Sequence, residues 1–263
     1  MKAYFLTILS TILAISNCFS SVTILNGLSH LYSGNSGDII EGEIVLLNSS
    51  DKNQRVSFYL NDAVFSCEKG REFKADFSHS SSSTDWFNGE VTEKVIAPRE
   101  KYVFKFSLEI PNDPSLHGSY WTILMVSVDN PIREEQLESN IGLDTKIRYA
   151  VGLLTQVNKL DEVDLDFKKM ELIKSPNPGQ KTLSIQMKNL GKFIETVSIT
   201  LEIYNKDGEK VKELRTDRNL VFPNSCKTYD INLSTIPSGD YDCVIIADSR
   251  ESFIGTNTML TLE

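Results

Sequence analysis

The sequence predicts an all-β protein: a signal peptide at residues 1–20, an immunoglobulin-like β-sandwich at 21–158 with an insertion at 62–91, and a fibronectin-like β-sandwich at 159–263. Three observations carry this prediction. Short segments alternate apolar and polar side chains, turn-forming clusters separate them, and the two halves of the chain share an order of landmarks. From residue 22 onward, no long segment has the 3.6-residue apolar period of an amphipathic helix.

The chain begins with the features of a secretory signal peptide. Lys2 precedes the apolar run 3–15, and the small residues Cys18 and Ser20 occupy the −3 and −1 positions of a cleavage site. The run is shorter than the roughly 20 residues that span a bilayer, and no second long run follows, so we expect no integral membrane span in the mature chain. The alternative is a lipoprotein that begins at Cys18, although Asn17 is unfavourable before a lipidated cysteine. Both alternatives predict an extracytoplasmic protein: secreted, periplasmic or at the cell surface.

Composition excludes several classes of protein. The 263 residues carry 27 Lys and Arg against 36 Asp and Glu, a net charge of −9. Nucleic-acid sites need clustered Lys and Arg, so we expect no nucleic-acid partner. Hydrophobic residues make up 40% and charged residues 24%, which is enough apolar surface for folded cores and excludes disordered and collagen-like chains.

Individual strands are predicted where apolar and polar residues alternate. In the clearest cases apolar side chains fall on one face of a half-buried strand. Such segments lie at 43–47, 56–60, 102–108 and 182–187. Clusters of Asn, Asp, Gly, Pro and Ser separate them, and Asp207-Gly208 is a hairpin signal because glycine supplies positive φ at little cost.

The two halves repeat each other. Each contains an Asn at a strand end, a later strand bounded by two prolines, and a Gly-x-Tyr motif before an apolar strand; the proline spacings are 13 and 14 residues. The motifs end at Tyr120 and Tyr241. Gly-x-Tyr at this position is typical of the tyrosine corner of immunoglobulin-like sandwiches, where the hydroxyl bonds a backbone group.

Three cysteines remain after the predicted cleavage, and an odd number leaves at least one free thiol. We compared Cys226 with Cys243. They are offset by roughly 20 Å along neighbouring strands, against the roughly 4.4–6.8 Å between Cα atoms of a disulfide, so we expect no bond between them. Buried or partly buried free thiols, Cys67 included, are the expectation.

The insertion 62–91 is the main difference between the halves, because the matched Asn and Pro landmarks are 50 residues apart in the first half and 34 in the second. Function tends to lie in insertions on a rigid scaffold. The candidate ligand-binding residues are aromatic or acidic and suit a carbohydrate: Phe73, Asp85, Trp86 and Phe87. The alternative is that Trp86 and Phe87 cap the end of the sandwich core.

No catalytic or metal motif stands out. The three histidines are isolated, and neither His-Glu-x-x-His nor Gly-x-Ser-x-Gly occurs. The acidic residues at 161–166 alternate with apolar ones, which indicates the solvent face of a strand rather than a Ca²⁺ loop. We therefore expect a protein that is not an enzyme and has no metal or cofactor.

Taken together, the landmarks resemble the WxL-interacting cell-surface proteins of bacteria. In the first half the resemblance rests on Thr84-Asp85-Trp86, Ile96-Ala97-Pro98 and Gly118-Ser119-Tyr120; in the second it rests on Met187-Lys188-Asn189 and Ile236-Pro237-Ser238-Gly239. It implies a peptidoglycan-binding first domain and a host-protein-binding second domain, with cell-wall glycan or another surface protein as partner. The family's C-terminal transmembrane helix and basic tail have no counterpart here.

The leading hypothesis is therefore a non-catalytic adhesion or binding protein outside the cytoplasm. The alternative is a periplasmic chaperone-like protein that handles surface subunits by lending them a strand. Its candidate strand alternates Ile147, Tyr149, Val151 and Leu153 just before the linker. The simpler interpretation of that strand is that it closes its own domain.

Overall fold

The computed structural model describes residues 22–74, 79–129, 146–174 and 181–262. Within them the chain forms eighteen strands and one short 3₁₀ helix, which confirms the predicted all-β class. The signal peptide and Cys18 lie outside the described residues, as do Asn17 and Phe77. No helix in the described part of the chain has the length and apolarity needed to cross a membrane.

The strands of the first sandwich are β1 (Val22–Ile24), β2 (Ser29–Gly34), β3 (Ile39–Asn48), β4 (Gln54–Ser66), β5 (Gly70–Lys74), β6 (Phe87–Gly89), β7 (Glu93–Ile96), β8 (Lys101–Glu109), β9 (Gly118–Asp129) and β10 (Ile147–Val157), with the 3₁₀ turn Thr84–Trp86 before β6. One sheet has the order β1-β3-β8-β6 and the other β2-β10-β9-β4-β5, with β7 also on β4. β1 joins the first sheet and β2 the second, so the chain crosses between sheets at its start.

The strands of the second sandwich are β11 (Leu165–Lys174), β12 (Lys181–Asn189), β13 (Glu195–Tyr204), β14 (Lys210–Arg215), β15 (Asn219–Val221), β16 (Cys226–Asn232), β17 (Gly239–Ser249) and β18 (Ser252–Leu262). They form one sheet in the order β11-β12-β16 and one in the order β14-β13-β17-β18, with β15 on β13. Alternate residues of the facing strands fill one core; Ile185, Leu201 and Ile245 are among its fully buried members.

Two buried asparagines explain why the halves share an Asn landmark. Asn48 ends β3, and its Nδ2 donates to the carbonyl oxygens of Ile96 (3.1 Å) and Ala97 (2.9 Å), just before the first proline of the pair. Its Oδ1 accepts from the backbone N–H of Ser50 at 3.0 Å. One amide therefore fastens a strand end to a loop about fifty residues later, using both its donor and its acceptor atoms.

Asn189 repeats the arrangement in the second sandwich. Its Nδ2 donates to the carbonyl oxygens of Phe193 (2.7 Å) and Val221 (2.9 Å), and its Oδ1 accepts from the N–H of Gly191 (2.9 Å). We expect Asn189→Ala to lower the free energy of unfolding by about 2–3 kcal/mol, because buried backbone groups lose their partners. Urea titration monitored by fluorescence measures this. Asn88→Ala, which loses one exposed side-chain bond, is the control and should cost under about 1 kcal/mol. Equal losses would contradict the prediction.

The tyrosines of the two Gly-x-Tyr motifs make different contacts. In the second sandwich the Tyr241 hydroxyl donates to the Pro237 carbonyl oxygen at 3.0 Å, the tyrosine-corner bond that the motif predicts. In the first, the Tyr120 ring packs on Trp86 with centroids 4.7 Å apart. The shared motif thus marks the same strand entry in both halves, and its aromatic ring serves a different local contact in each.

Candidate functional site: the junction between the sandwiches

The insertion of the first sandwich projects as a hairpin. β4 pairs with β9 only as far as Asn61, and from Asp62 to Ser66 it pairs with β5 instead. The long β4 therefore leaves its sheet half-way along. This hairpin and the segment 79–91 lie within the insertion predicted at 62–91.

A polar cluster holds the following segment in the place that β4 vacates. The backbone N–H of Ser83 donates to the Trp121 carbonyl oxygen at 3.0 Å, so the segment continues the sheet beside β9. Asp62 is 4% exposed, and its Oδ1 accepts from Ser82 Oγ and Thr84 Oγ1, both at 2.7 Å. A buried carboxylate needs such donors, because burying it without them is costly.

His79 lies against this cluster, with its ring centroid 4.9 Å from that of Trp121. Burial lowers the pKa of His79, partly opposed by the charge of Asp62 and a backbone hydrogen bond at Ala63. A depressed pKa in the folded state means that the unfolded chain takes up the proton first. The contribution of His79 to stability is therefore present above its unfolded pKa of about 6.5 and is lost as the pH falls through the lower folded pKa.

We expect the stability difference between wild type and His79→Asn to change with pH for this reason. The wild type should lose stability more steeply than the variant as the pH falls below about 6.5. Urea titrations at a series of pH values measure the two slopes. His30→Asn is the matched control, because His30 is only partly buried and lies on β2, outside the cluster. Parallel pH profiles for wild type and His79→Asn would contradict the prediction.

The projecting hairpin packs onto the second sandwich through aromatic rings. Phe65 stacks on Phe222, with centroids 3.5 Å apart and planes 9° apart. Trp121 meets both rings edge-on, at 5.7 and 5.0 Å. Its Nε1 donates to the Ala63 carbonyl oxygen at 2.8 Å, so the indole is fixed from both sides. With Ile194 these residues form an apolar core that belongs to both sandwiches.

A disulfide joins the same two elements. Cys67, in the turn of the hairpin, is bonded to Cys226 at the start of β16, with Cα atoms 4.5 Å apart. The expectation of free thiols was wrong for these two cysteines. The strand-offset argument compared Cys226 with Cys243 alone, and a contact between residues 159 apart leaves no local pattern. Cys243 does not pair with Cys226, as predicted; it is free and buried, and burial raises the pKa of its thiol to about 11.

Backbone contacts complete the junction. The N–H of Ser119 donates to the Lys192 carbonyl oxygen at 2.9 Å, and Ser119 Oγ accepts from the N–H of Ile194 at 2.8 Å. Gly118 has φ +134°, and a Cβ there would lie 2.9 Å from the Lys192 oxygen. The glycine of the predicted corner motif is thus also required by the close approach of the second sandwich.

The linker is held by a chain of polar contacts. His117 Nε2 and Asp161 Oδ1 lie 2.8 Å apart, and the Asp161 carbonyl oxygen accepts from Arg250 Nη1 at 3.0 Å. Arg250 also forms a two-point ion pair with the buried carboxylate of Glu195, which accepts a further bond from Ser249 Oγ at 2.7 Å. One loop of the first sandwich, the linker and the β17–β18 turn are therefore joined in series.

The predicted ligand residues lie in two different places. Trp86 is 8% exposed, in a small core cluster with Ile110, and Phe87 stacks on Phe106 at 5.3 Å. Both side chains therefore cap the sandwich core, the alternative given above. Asp85, in the 3₁₀ turn, is exposed.

Phe73 is on the projecting hairpin, 39% exposed, with the Arg71 guanidinium 4.9 Å from its ring centroid. Phe73 therefore lies on β5, whereas Asp85 and Trp86 lie in the 3₁₀ turn and Phe87 begins β6. Ligand binding at these positions stays a prediction. None of the residues at the junction between the sandwiches was predicted as a functional residue from the sequence. Cys67 inside the insertion was the one signal in the sequence that could have pointed to them.

The candidate donor strand is part of its own domain. β10 pairs with β9 along its whole length, and Val151 and Leu153 are fully buried in the first core. Ile147 packs against the same core. This is the simpler interpretation of its alternation. Within the described part of the chain, no three His, Cys, Asp or Glu side chains come together as they would around a metal ion.

Comparison with known proteins gives one family match and several similar structures. Residues 175–254 match a family described as a secretion system C-terminal sorting domain, which covers 80 of the 263 residues. No curated protein sequence matches the chain.

Several of the similar solved structures are described as chaperones or as chaperone complexes. The YadV chaperone is 14% identical, with a TM-score of 0.46 over 92% of this chain and 100% of that one. The Salmonella enterica SafA pilin in complex with the SafB chaperone is 10% identical, with a TM-score of 0.47 over 94% of this chain and 99% of that one. The Pseudomonas aeruginosa CupB2 chaperone is 10% identical, with a TM-score of 0.42 over 90% of this chain and 100% of that one.

Proposed function

We propose that this protein is a non-catalytic binding protein that works outside the cytoplasm and holds other surface proteins, with its two sandwiches acting as one rigid unit. The observation that carries the proposal is the junction, where a disulfide and a shared aromatic core join the sandwiches. Disulfides persist in oxidising compartments, which supports an extracytoplasmic location. A rigid unit loses less conformational entropy on binding than two loosely linked domains would.

The burial of Trp86 supports a protein partner over a glycan. Sugar recognition needs an exposed aromatic face, and this indole packs on Tyr120 inside the fold. The peptidoglycan-binding and host-binding roles implied by the resemblance to WxL-interacting proteins stay predictions, as does handling of surface subunits by a chaperone-like action. Both predictions about protein partners share the same requirement, a rigid extracytoplasmic scaffold.

The test is complex formation in the native host. The tagged full chain is crosslinked in intact cells, and bound proteins are identified from the envelope fraction. We expect a defined surface protein to be recovered with the wild type and to be reduced with the Cys67→Ser, Cys226→Ser double variant. In parallel, purified protein is sedimented with peptidoglycan. The proposal would be overturned in favour of glycan binding by two results together. No protein partner is recovered from cells, and peptidoglycan sediments less of the Phe73→Ala or Asp85→Ala variant than of the wild type.

A second candidate function concerns export, and the family match favours it. We propose that residues 175–254 also serve as a sorting signal for a secretion system. The full chain should then be found at the surface or in the medium of the wild-type host, and should accumulate in the periplasm when that secretion system is disabled. The same distribution in both strains would contradict this role.

A further inference from the structure

The last strand of the second sandwich has an open edge. β18 is eleven residues long and pairs with β17 from Ser252 to Leu262 without a bulge. It lies at the end of its sheet, so in the described part of the chain its other edge faces no strand. A long edge strand exposes a row of N–H and C=O groups that can pair with another chain.

The usual protections of an edge are missing from β18. Its sequence, SFIGTNTMLTL, contains no charged residue and no proline. The other edge strands differ. β14 carries two lysines, an arginine and a glutamate, β11 has a bulge and several charges, and β16 carries a lysine and an aspartate. The edge strands of the first sandwich have six residues or fewer. β18 is thus a long edge with none of the devices that blunt pairing elsewhere in this chain.

The register shows which groups are available. Arg250 and Glu251 have positive φ and form a two-residue turn, so Ser249 and Ser252 are the hydrogen-bonded pair that closes the hairpin. Alternate residues from Ser252 onward therefore bond β17. The intervening residues direct their backbone groups to the open edge: Phe253, Gly255, Asn257, Met259 and Thr261. Phe253 is 70% exposed and Met259 82%.

We propose that β18 pairs antiparallel with β18 of a second copy of this chain, about a twofold axis at Asn257. This register places Phe253 opposite Thr261 and Gly255 opposite Met259, so on the exposed face of the sheet each large apolar side chain lies opposite a small residue. All the open backbone groups find partners, as an isologous interface requires. The two sheets then become one continuous sheet.

Charge supports a second copy as the occupant. Two chains of net charge −9 repel each other, and they can approach most closely along an uncharged strip. Two of the three carboxylates on β17 are paired: Asp248 with Arg215 and Arg218, and Asp240 with Lys206. The third, Asp242, is exposed opposite Met259. The strip formed by β18 adds no charge of its own, so repulsion along it comes from Asp242 and not from the pairing strand.

The test is the association of the purified full chain, measured by sedimentation equilibrium across a range of concentrations. We expect a reversible dimer. Asn257→Pro removes an N–H that faces outward and leaves the β17 ladder intact, so it should weaken the dimer at least tenfold. Asn257→Ser keeps that N–H and should change the dissociation constant of the dimer less than threefold.

A second pair of variants tests the edge without proline. Met259→Asp places a second carboxylate opposite Asp242 and should weaken the dimer at least tenfold, whereas Val211→Asp adds the same charge on the β14 edge and should not. Amide hydrogen exchange of 253–261 should slow as concentration rises. A monomer at every concentration, or a dimer that survives both Asn257→Pro and Met259→Asp, overturns the proposal.

Discussion

Removing the disulfide between the two sandwiches is expected to lower the stability of the whole chain and to uncouple the unfolding of its two halves. The Cys67–Cys226 disulfide closes a loop of 159 residues. In the chain-entropy account, a loop of that size stabilises the folded state by about 4–5 kcal/mol, and measured losses for native disulfides are about 2–5 kcal/mol. The double variant Cys67→Ser, Cys226→Ser should therefore melt about 10 °C lower by calorimetry. It should also show two transitions, because the sandwiches no longer unfold as one unit.

Two controls make the result specific. Cys243→Ala removes the buried free thiol, and its melting temperature should still fall when a reductant is added. The double variant should melt at the same temperature with and without reductant. Alkylation of the mature wild-type chain after denaturation without reductant should label one cysteine, Cys243. Three labelled thiols, or equal melting temperatures for wild type and double variant, would contradict the disulfide.

The fold could be predicted from the sequence because its signals are local. Alternation of apolar and polar residues marks strands such as β8 and β12, where the structure buries every second side chain. The repeated landmarks also had a local cause that the structure identifies: Asn48 and Asn189 make equivalent bonds at equivalent strand ends. Patterns of this kind depend on a few neighbouring residues, so a single sequence is enough to detect them.

The junction could not be predicted because its contacts are distant in the chain. Phe65 meets Phe222 and Cys67 meets Cys226, and each pair is more than 150 residues apart, so no spacing rule connects the partners. The insertion predicted at 62–91 contains the first-sandwich member of each pair, Phe65 and Cys67. Its aromatic residues suggested a ligand, since sequence composition cannot distinguish an exposed aromatic face from one that covers a second domain.

The aromatic stack across the junction should behave as one energetic unit. We expect Phe222→Ala to cost about 3–5 kcal/mol, because it opens a cavity between the sandwiches. Once Phe222 is absent, Phe65 no longer has its stacking partner, so Phe65→Ala removes less stabilisation. The double variant should therefore be less destabilised than the sum of the two single variants. Aromatic pairs contribute about 0.5–1.5 kcal/mol beyond burial, and the shared cavity adds to that, so a coupling energy of about 1–3 kcal/mol is expected from urea titrations.

The comparison pair shows whether this coupling belongs to the junction. Phe104→Ala with Phe222→Ala combines residues of two separate cores, so their effects should add within about 0.5 kcal/mol. Additivity of Phe65→Ala and Phe222→Ala as well would mean that the stacked rings do not stabilise the junction jointly. The disulfide would then hold the two sandwiches largely alone, and adding a reductant would be enough to free them. Coupling in the first pair and additivity in the second would instead show that the stacked rings stabilise the junction jointly, in addition to the disulfide.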